Sequence, residues 1–403
     1  MQLAINGGVA IRNVPFAPWP YFAQDEIDAV TQVLGSGRVN YWTGDVCKCF
    51  EQAYAEYTGA KYAIALANGT LALELALYAL DIGAGDEVIV PSRTFIASAS
   101  CVVARGATPV IADIDAVTQN LTMETIRAVV TPRTRAIIAV HLAGWPCDMD
   151  AIMAFAREHN LKVIEDCAQA HGATYNGKPV GNLGDLAAFS FCQDKIITTG
   201  GEGGMLLLND EALWKKAWAY KDHGKSWDAV NLRQHPPGFR WLHESFGTNW
   251  RMTEMQAAIG LRQLAKLDDW RQKRQTHAQL LNAGLAHHEA LRLTVPPAGI
   301  GHAYYKYYAF LRLGKLKPEW DQSRIVAAIN TEGVPCYTGS SSEIYRELAF
   351  VNQGLGPSQR LPVAQVLGET SLMFLVHPTL TDADMRDICQ AVGKVMNQAT
   401  LAD

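Results

Sequence analysis

The sequence predicts an α/β protein with a mostly parallel central sheet, helices on both faces of that sheet, and a smaller C-terminal α+β domain. Three observations indicate this fold class. Between residues 62 and 208, short apolar runs alternate with amphipathic helical segments, as in parallel strands joined by crossover helices. Beyond residue 208 the alternation ends. The length of 403 residues accommodates one large domain or two moderate ones.

The elements of the large domain can be placed from their periodicity. Apolar residues at three- and four-residue spacing indicate helices, and short β-branched or apolar runs indicate strands. After an irregular arm over residues 1–20, the predicted helices cover residues 24–34, 45–57, 71–80, 94–104, 122–129, 148–159 and 211–220. The predicted strands cover residues 62–67, 87–90, 109–112, 136–140, 162–164, 186–191 and 205–208.

A long helical segment at residues 253–273 marks the predicted domain boundary. We therefore expect a large domain with an N-terminal arm over residues 1–260 and a small domain over residues 261–403. The small domain combines a predicted strand at residues 304–313 with predicted helices at residues 323–332 and 382–396.

Composition excludes several classes of protein. The chain is 49% hydrophobic and 19% charged with a net charge of −5, so it has no general attraction to nucleic acid or to an anionic membrane. Residues 1–13 lack the pattern of a signal peptide, and the apolar run at residues 71–80 is short and contains Glu74. The eight cysteines are scattered without a CxxC pair, so we expect no metal site and a reducing cytoplasm.

Chemistry is concentrated in residues 185–208. Lys195 lies between two apolar strand signals, and glycines at positions 200, 201, 203 and 204 follow it. The glycines allow backbone to pass close to a bulky group, and a lysine held in this way is the side chain that forms Schiff bases. The alternative interpretation is a surface lysine in a glycine-rich turn.

A second candidate feature is the turn Asn68-Gly69-Thr70 between a strand and a helix. This arrangement presents free backbone N–H groups and the positive end of a helix dipole to an anion such as phosphate. The alternative is a simple helix cap in which Thr70 satisfies the free amides. A P-loop at residues 224–226 is excluded, because its first glycine would fall on Ala219.

Several polar residues fall at the carboxyl ends of predicted strands, where α/β sheets bind ligands. Asp166 ends one such strand, and Asn68 ends another. A carboxylate, an anion cradle and a lysine amine are the three groups that pyridoxal phosphate requires: the carboxylate keeps the pyridine nitrogen protonated, so that the ring can accept electrons. The sequence therefore points to a pyridoxal-phosphate site.

These residues stand in motifs that resemble one family, the fold-type-I pyridoxal-phosphate sugar aminotransferases of the DegT/DnrJ/EryC1/StrS group. The resemblance covers most of the chain in the right order. The motifs are NGTLAL (68–73), PSRTF (91–95), EDCAQAH (165–171), SFCQDK (190–195), TGGEGG (199–204) and GTNWRMT (247–253).

The resemblance implies a role for each matching residue. Lys195 would bond to the cofactor and carry the proton at the substrate carbon, and Asp166 would pair with the pyridine nitrogen. Gln169 would lie near the ring hydroxyl and Phe95 on the ring face. The phosphate would be held by Gly69, Thr70 and Ser190, and by Asn249 of the neighbouring subunit, which implies a homodimer with shared active sites.

Several other residues are candidates for a substrate mouth or for packing around the site. The loop at residues 39–44 concentrates aromatic residues in a turn, which indicates either packing or a binding mouth. Candidates for the substrate mouth are Trp42, Tyr304, Tyr305, Tyr337 and His377. His141 and His171 are expected to pack or support the site, and Cys167 and Cys192 to be small buried residues. Cys192 occupies a position that is histidine in many members of the family.

The resemblance implies a transaminase that moves an amino group from glutamate to a nucleotide-linked keto sugar, for surface polysaccharides such as O-antigen or for glycosides. The segment at residues 334–345 resembles the branch that acts at C4 of 6-deoxy sugars. Alternatives are the same chemistry on a cyclitol or an aminobenzoate precursor, a lyase, and a cofactor-binding regulatory protein without catalysis.

Overall fold

A computed structural model describes residues 2–401, which form three sheets and their covering helices. The strands are β1 (Tyr62–Leu66), β2 (Glu87–Pro91), β3 (Thr108–Ala112), β4 (Thr134–Val140), β5 (Lys162–Asp166), β6 (Thr174–Tyr175), β7 (Lys178–Pro179), β8 (Leu186–Ser190), β9 (Gly204–Leu208), β10 (Leu291–Leu293), β11 (Ile300–Gly301), β12 (Tyr307–Leu311), β13 (Cys336–Tyr337) and β14 (Ser371–Phe374).

The helices follow the predicted alternation through the first half of the chain. They are α1 (Gln24–Ser36), α2 (Val46–Thr58), α3 (Gly69–Ala79), α4 (Ala97–Ala104), α5 (Met123–Arg127), α6 (Met149–Glu158), α7 (Glu211–Lys221), α8 (Trp227–Asn231), α9 (Glu254–Leu264), α10 (Leu267–Leu285), α11 (Gln322–Thr331), α12 (Leu348–Val351), α13 (Pro362–Thr370) and α14 (Asp382–Ala399).

The large sheet has seven strands in the order β1-β9-β8-β5-β4-β2-β3. Strand β9 is antiparallel to both of its neighbours, and the other neighbouring strands run parallel. Successive residues of a strand face opposite sides of the sheet and pack in different hydrophobic cores. Ile64 and Leu206 pack with α3 and α7 on one side, whereas Ala65 and Leu207 pack with α2 and α9 on the other. Helices therefore cover both faces of a mostly parallel sheet, and this prediction is confirmed.

The C-terminal part of the chain has its own sheet and core. Its strands lie in the order β10-β12-β14-β13, and all neighbours are antiparallel. Helices α10, α11 and α14 contribute to the core on one face, and Leu3 of the N-terminal arm enters the same core. The remaining sheet is a small one of β11, β6 and β7.

Two predicted elements were wrong in their extent. The helix expected over residues 253–273 is two helices, because the chain breaks between α9 and α10 at Ala265 and Lys266. Lys266 forms ion pairs at 2.7 Å with Asp25 and Glu26 of α1, which fixes the break against the large domain. The strand expected over residues 304–313 is only β12, because Tyr304 adopts a left-handed φ of 47°.

The predicted boundary between the large and the small domain, at residues 260 and 261, stays a prediction. It falls inside α9. Side chains from later in the chain also pack against the large domain. Ile344, Tyr345 and Phe350 join the core between the large sheet and α3. Within residues 2–401, no helix is both long enough and apolar enough to cross a membrane.

Candidate active site

A cavity of about 690 Å³ lies at the carboxyl ends of the parallel strands. Eight residues predicted from the sequence line it together, although they are up to 236 positions apart in the chain. They are Gly69, Thr70, Phe95, Asp166, Gln169, Ser190, Lys195 and Tyr305. The sheet therefore gathers the predicted amine, carboxylate and anion cradle around one space.

The anion cradle is the N-terminus of α3. Asn68 caps this helix, since its side chain accepts a 3.0 Å hydrogen bond from the N–H of Leu71, so the alternative in which Thr70 is the cap was wrong. A Cβ on Gly69 would lie 2.6 Å from the Cβ of Ser190, so only glycine lets α3 approach β8 this closely. The first-turn N–H groups of Gly69 and Thr70 have no intrahelical partner by geometry and are suited to bind phosphate.

Asp166 is the last residue of β5 and is buried. Its carboxylate accepts hydrogen bonds from the Ser98 hydroxyl at 2.8 Å and from the N–H of Ala168 at 3.1 Å. Burial raises the pKa of Asp166, and these two hydrogen bonds and the charge of Lys195 oppose that rise. A buried carboxylate of this kind suits a cationic ring N–H, because the pair would satisfy both charges.

His141 and Glu165 support this end of β5 from within the core. The Nε2 of His141 lies 3.0 Å from Oε2 of Glu165, and the N–H of Cys147 donates to Nδ1 of His141 at 3.0 Å. Glu165 also accepts backbone N–H bonds from residues 181, 183 and 184. Both side chains are fully buried and neither lines the cavity, in agreement with the supporting role expected for His141.

Lys195 follows β8 in a turn that is anchored at both sides. Its N–H donates to the carbonyl of Cys192 at 3.1 Å, and the indole N–H of Trp19 donates to its carbonyl at 2.9 Å. Its Nζ lies 3.4 Å from the Tyr305 hydroxyl and 3.5 Å from Oδ1 of Asp194. The alternative of a surface lysine does not fit this partly buried, fixed amine.

Gln169 and Phe95 also line the cavity. The Oε1 of Gln169 accepts a 2.8 Å hydrogen bond from the N–H of Ala143, which fixes the side chain at the cavity. Phe95 is 69% exposed, although it is a large apolar residue. An exposed ring on the cavity wall suits the face of an aromatic ligand.

Two predicted residues lie together on a different surface. The indole N–H of Trp42 donates to Oδ2 of Asp222 at 2.7 Å, and Nζ of Lys225 lies 4.1 Å from the centre of a Trp42 ring. The backbone of Asp222 forms a bridge with Asn249, which is exposed. Neither Trp42 nor Asn249 lines this chain's own cavity.

Three more substrate candidates also lie outside the cavity wall. Tyr304 stacks on His302, with 3.9 Å between ring centres. Tyr337 is exposed on β13. His377 is buried, forms a 2.7 Å hydrogen bond with the Thr379 hydroxyl and stacks on Trp19. These are packing contacts. Their assignment to a substrate mouth stays a prediction.

The structure places residues at the site for which the sequence predicted no role. Ser98 binds Asp166, and Asp194 accepts a hydrogen bond from Tyr305 and contacts Lys195. Cys167 is buried as expected, whereas Cys192 is only half-buried and lines the cavity, so its assignment as a buried residue was wrong. Sequence motifs gave no role to Ser98, whose partner is 68 positions away.

The donor set fits pyridoxal phosphate. Lys195 offers the amine for the aldehyde, Asp166 the buried carboxylate for the ring nitrogen, and the Gly69 turn an anion cradle that a Cβ would fill. The seven-stranded sheet and this site define a pyridoxal-phosphate-dependent transferase of fold type I.

The family model of the DegT/DnrJ/EryC1/StrS aminotransferases matches residues 20–393, and the chain belongs to this family. The predicted fold class, enzyme class and cofactor are thereby confirmed. The protein is an aminotransferase, so the alternatives of a lyase and of a regulatory protein without catalysis lose their support.

Three similar proteins illustrate the range of the family. An aminotransferase from Psychrobacter cryohalolentis, known from an X-ray structure, is 59% identical with a TM-score of 0.93, over 95% of this chain and 99% of that one. GDP-perosamine synthase from Caulobacter vibrioides is 42% identical over 86% of this chain and 89% of its own length. L-glutamine:2-deoxy-scyllo-inosose aminotransferase from Streptomyces fradiae is 35% identical over 98% of this chain and 97% of its own length.

Proposed function

We propose that this protein transfers an amino group from glutamate to a nucleotide-linked 4-keto-6-deoxyhexose, for the synthesis of amino sugars in surface polysaccharides such as O-antigen, or in glycosides. The observation that carries the chemistry is that Lys195 and Asp166 line one cavity with an anion cradle. The sugar substrate is supported by the likeness to GDP-perosamine synthase, which covers 86% of this chain.

The roles of the residues follow from their positions. When bound, pyridoxal phosphate withdraws electrons from the carbon that carries the amino group. Asp166 would hold the ring nitrogen through its buried carboxylate, and Phe95 would cover the ring. Gly69, Thr70 and Ser190 would bind the phosphate, while Gln169 would orient the ring through its amide.

Lys195 has two tasks in this scheme. Its Nζ would bind the cofactor aldehyde at rest, and once displaced by the substrate amine it would carry a proton to and from the substrate carbon. Both tasks need an amine that stays in place when its bond is broken. The anchored turn at residues 192–195 keeps the backbone of Lys195 fixed at the cavity.

We further propose a homodimer in which Asn249 reaches the cofactor phosphate of the partner subunit. The segment that carries Asn249 lies beside this chain's own cradle, since the N–H of Ala67 donates to the carbonyl of Trp250 at 2.9 Å. An exposed Asn249 next to one cradle can meet a second cradle if the two sites face each other across a two-fold axis. All eight cysteines are free thiols, which supports a cytoplasmic protein.

A panel of amino donors and acceptors tests this proposal. The protein with pyridoxal phosphate is incubated with glutamate or glutamine and with GDP-, UDP- and dTDP-linked 4-keto-6-deoxyhexoses, and products are identified by mass spectrometry. We expect an aminated nucleotide sugar and an equal amount of 2-oxoglutarate with glutamate. Turnover with none of the nucleotide sugars would overturn the sugar assignment.

A cyclitol substrate is the second candidate, because the scyllo-inosose aminotransferase matches 98% of this chain. Adding 2-deoxy-scyllo-inosose to the same panel separates the two. Amination of this cyclitol at a kcat/KM above that of every nucleotide sugar would replace the first proposal by the second. Amination of an aminobenzoate precursor instead would exclude both.

A further inference from the structure

The amino group of Lys195 lies between two groups on different parts of the fold. Oδ1 of Asp194, the preceding residue, is 3.5 Å from Nζ, and the hydroxyl of Tyr305, 110 positions later, is 3.4 Å from it. Tyr305 in turn donates a hydrogen bond to Oδ2 of Asp194. Lysine, tyrosine and aspartate thus form a closed triangle at the cavity wall.

The position of Tyr305 is fixed by hydrogen bonds of its backbone. Its N–H donates to the carbonyl of Ala143 at 2.8 Å. Arg274, which is fully buried on α10, donates at 3.3 Å to the carbonyls of Tyr304 and Tyr305. Tyr304 has a left-handed φ of 47°, a strained conformation that these bonds help to hold.

The charges around Lys195 come from several elements, and Asp194 is the carboxylate in contact with its Nζ. Burial raises the pKa of Asp194, but the charge of Lys195 and the hydrogen bond from Tyr305 outweigh it, so the pKa is lowered overall. Burial lowers the pKa of Lys306 to about 8. The titratable or charged groups that interact with the triangle or line the cavity beside it are Asp166, His171, Cys192, Glu202, Arg274, Lys306 and Tyr308.

We propose that Asp194 and Tyr305 are positioning residues that hold the amino group of Lys195 at the cavity wall whenever it is not bonded to the cofactor. This inference rests on the proposed role of Lys195. The triangle would therefore keep the displaced amino group in place, both for proton transfer and for bonding to the cofactor again.

Trace acetylation of the cofactor-free, full-length protein tests the hold on the amino group directly. Modification of Lys195 at pH 7.5 is quantified by peptide mass spectrometry relative to Lys162, whose side chain is half-exposed. Asp194→Asn removes the negative charge that pairs with the amino group and should raise labelling of Lys195 by roughly threefold. Tyr305→Phe keeps the charge and should change labelling less.

The fold offers a matched control. Tyr57 donates a 3.0 Å hydrogen bond to Asp268, and Arg271 lies 3.8 Å from the same carboxylate. None of these three residues lines the cavity. Asp268→Asn should leave labelling of Lys195 unchanged. Equal labelling in Asp194→Asn, Asp268→Asn and the unsubstituted protein would overturn the inference.

The rate of cofactor attachment, followed by absorbance between pH 6 and 9, tests whether the triangle orients the amino group. Asp194→Asn removes one of its two contacts and should slow attachment by roughly threefold at every pH. Tyr305→Phe should slow attachment several-fold at every pH, and an unaltered rate in Tyr305→Phe would remove it from the triangle. If the unsubstituted protein attaches no cofactor at Lys195, the proposed function fails, while the labelling result still decides whether the amino group is held by the triangle.

Discussion

The hydroxyl of Ser98 on α4 donates a 2.8 Å hydrogen bond to the carboxylate of Asp166 at the end of β5. The two residues come from parallel strand–helix units that meet at the same edge of the sheet. Burial favours the neutral acid, whereas this hydrogen bond favours the carboxylate that a cationic ring nitrogen needs. In the proposed scheme, the electron-withdrawing state of the cofactor would therefore depend on Ser98 through Asp166.

Replacing Ser98 tests that dependence. Ser98→Ala should raise the pKa of Asp166 further and weaken pyridoxal phosphate binding about fivefold, since a hydrogen bond to a charged group contributes about 1 kcal/mol or more. Ser100→Ala is the matched control, because Ser100 on the same helix bonds only to the carbonyl of Ile96. Equal dissociation constants for the two variants, measured by fluorescence titration, would contradict this role.

The cradle predicts a steric effect at one glycine. Gly69→Ala places a Cβ 2.6 Å from the Cβ of Ser190, so α3 and β8 must separate. We expect at least about tenfold weaker pyridoxal phosphate binding and a loss of about 1–3 kcal/mol in the free energy of unfolding. Gly35→Ala, in a helix with nothing within 4 Å of the added Cβ, should leave binding unchanged. Tight binding by Gly69→Ala would place the phosphate elsewhere.

Because His171 is buried, we expect the folded protein to lose stability in acid. Burial lowers its pKa to about 3, and the neutral ring is satisfied, because Nε2 donates to the carbonyl of Ser190 and Nδ1 accepts from the hydroxyl of Tyr54. The unfolded chain binds a proton near pH 6.5, so stability contributed by the neutral ring is lost as the pH falls from about 6.5 towards 3.

The expected loss from His171 is about 2 kcal/mol in the free energy of unfolding between pH 7 and pH 5. Urea unfolding at the two pH values measures it. His171→Gln does not titrate in this range and should show a smaller difference between the two values. An identical difference in both proteins would mean that His171 is not neutral in the fold.

A shared active site predicts complementation between two inactive variants. Lys195→Ala lacks the amine, and Asn249→Ala lacks the proposed phosphate contact to the partner subunit. In a mixed dimer one site has Lys195 from one subunit and Asn249 from the other, so random mixing should restore about a quarter of the sites. Activity of the co-expressed pair that only equals the sum of the separate variants would contradict a shared site.

Much of the site could be predicted because it depends on local patterns. Asp166 and Gly69 follow from a strand end and a tight turn, and Lys195 from the glycine-rich stretch behind it, whereas Ser190 follows from the family resemblance alone. Each of these patterns is local in the sequence, and parallel strands bring their carboxyl ends to one edge of the sheet.

What the sequence did not predict depends on contacts between distant segments. Asp194 contacts Lys195 and accepts a hydrogen bond from Tyr305, which is 111 positions away in the sequence. Asp113 also ends a strand, but it accepts backbone N–H bonds from Val363 and Ala364 at the start of α13 and does not line the cavity. The break before α10 contains no glycine or proline that would indicate it in the sequence. It is stabilised instead by the ion pairs of Lys266 with α1.

The most direct measurement is the mass of the peptide that carries the cofactor. The protein is incubated with pyridoxal phosphate, reduced with borohydride, digested and analysed by mass spectrometry. We expect one modified residue, Lys195, and no modification or transamination in Lys195→Ala, which should still fold and bind the cofactor weakly. A modified lysine elsewhere, or transamination by Lys195→Ala, would contradict the account.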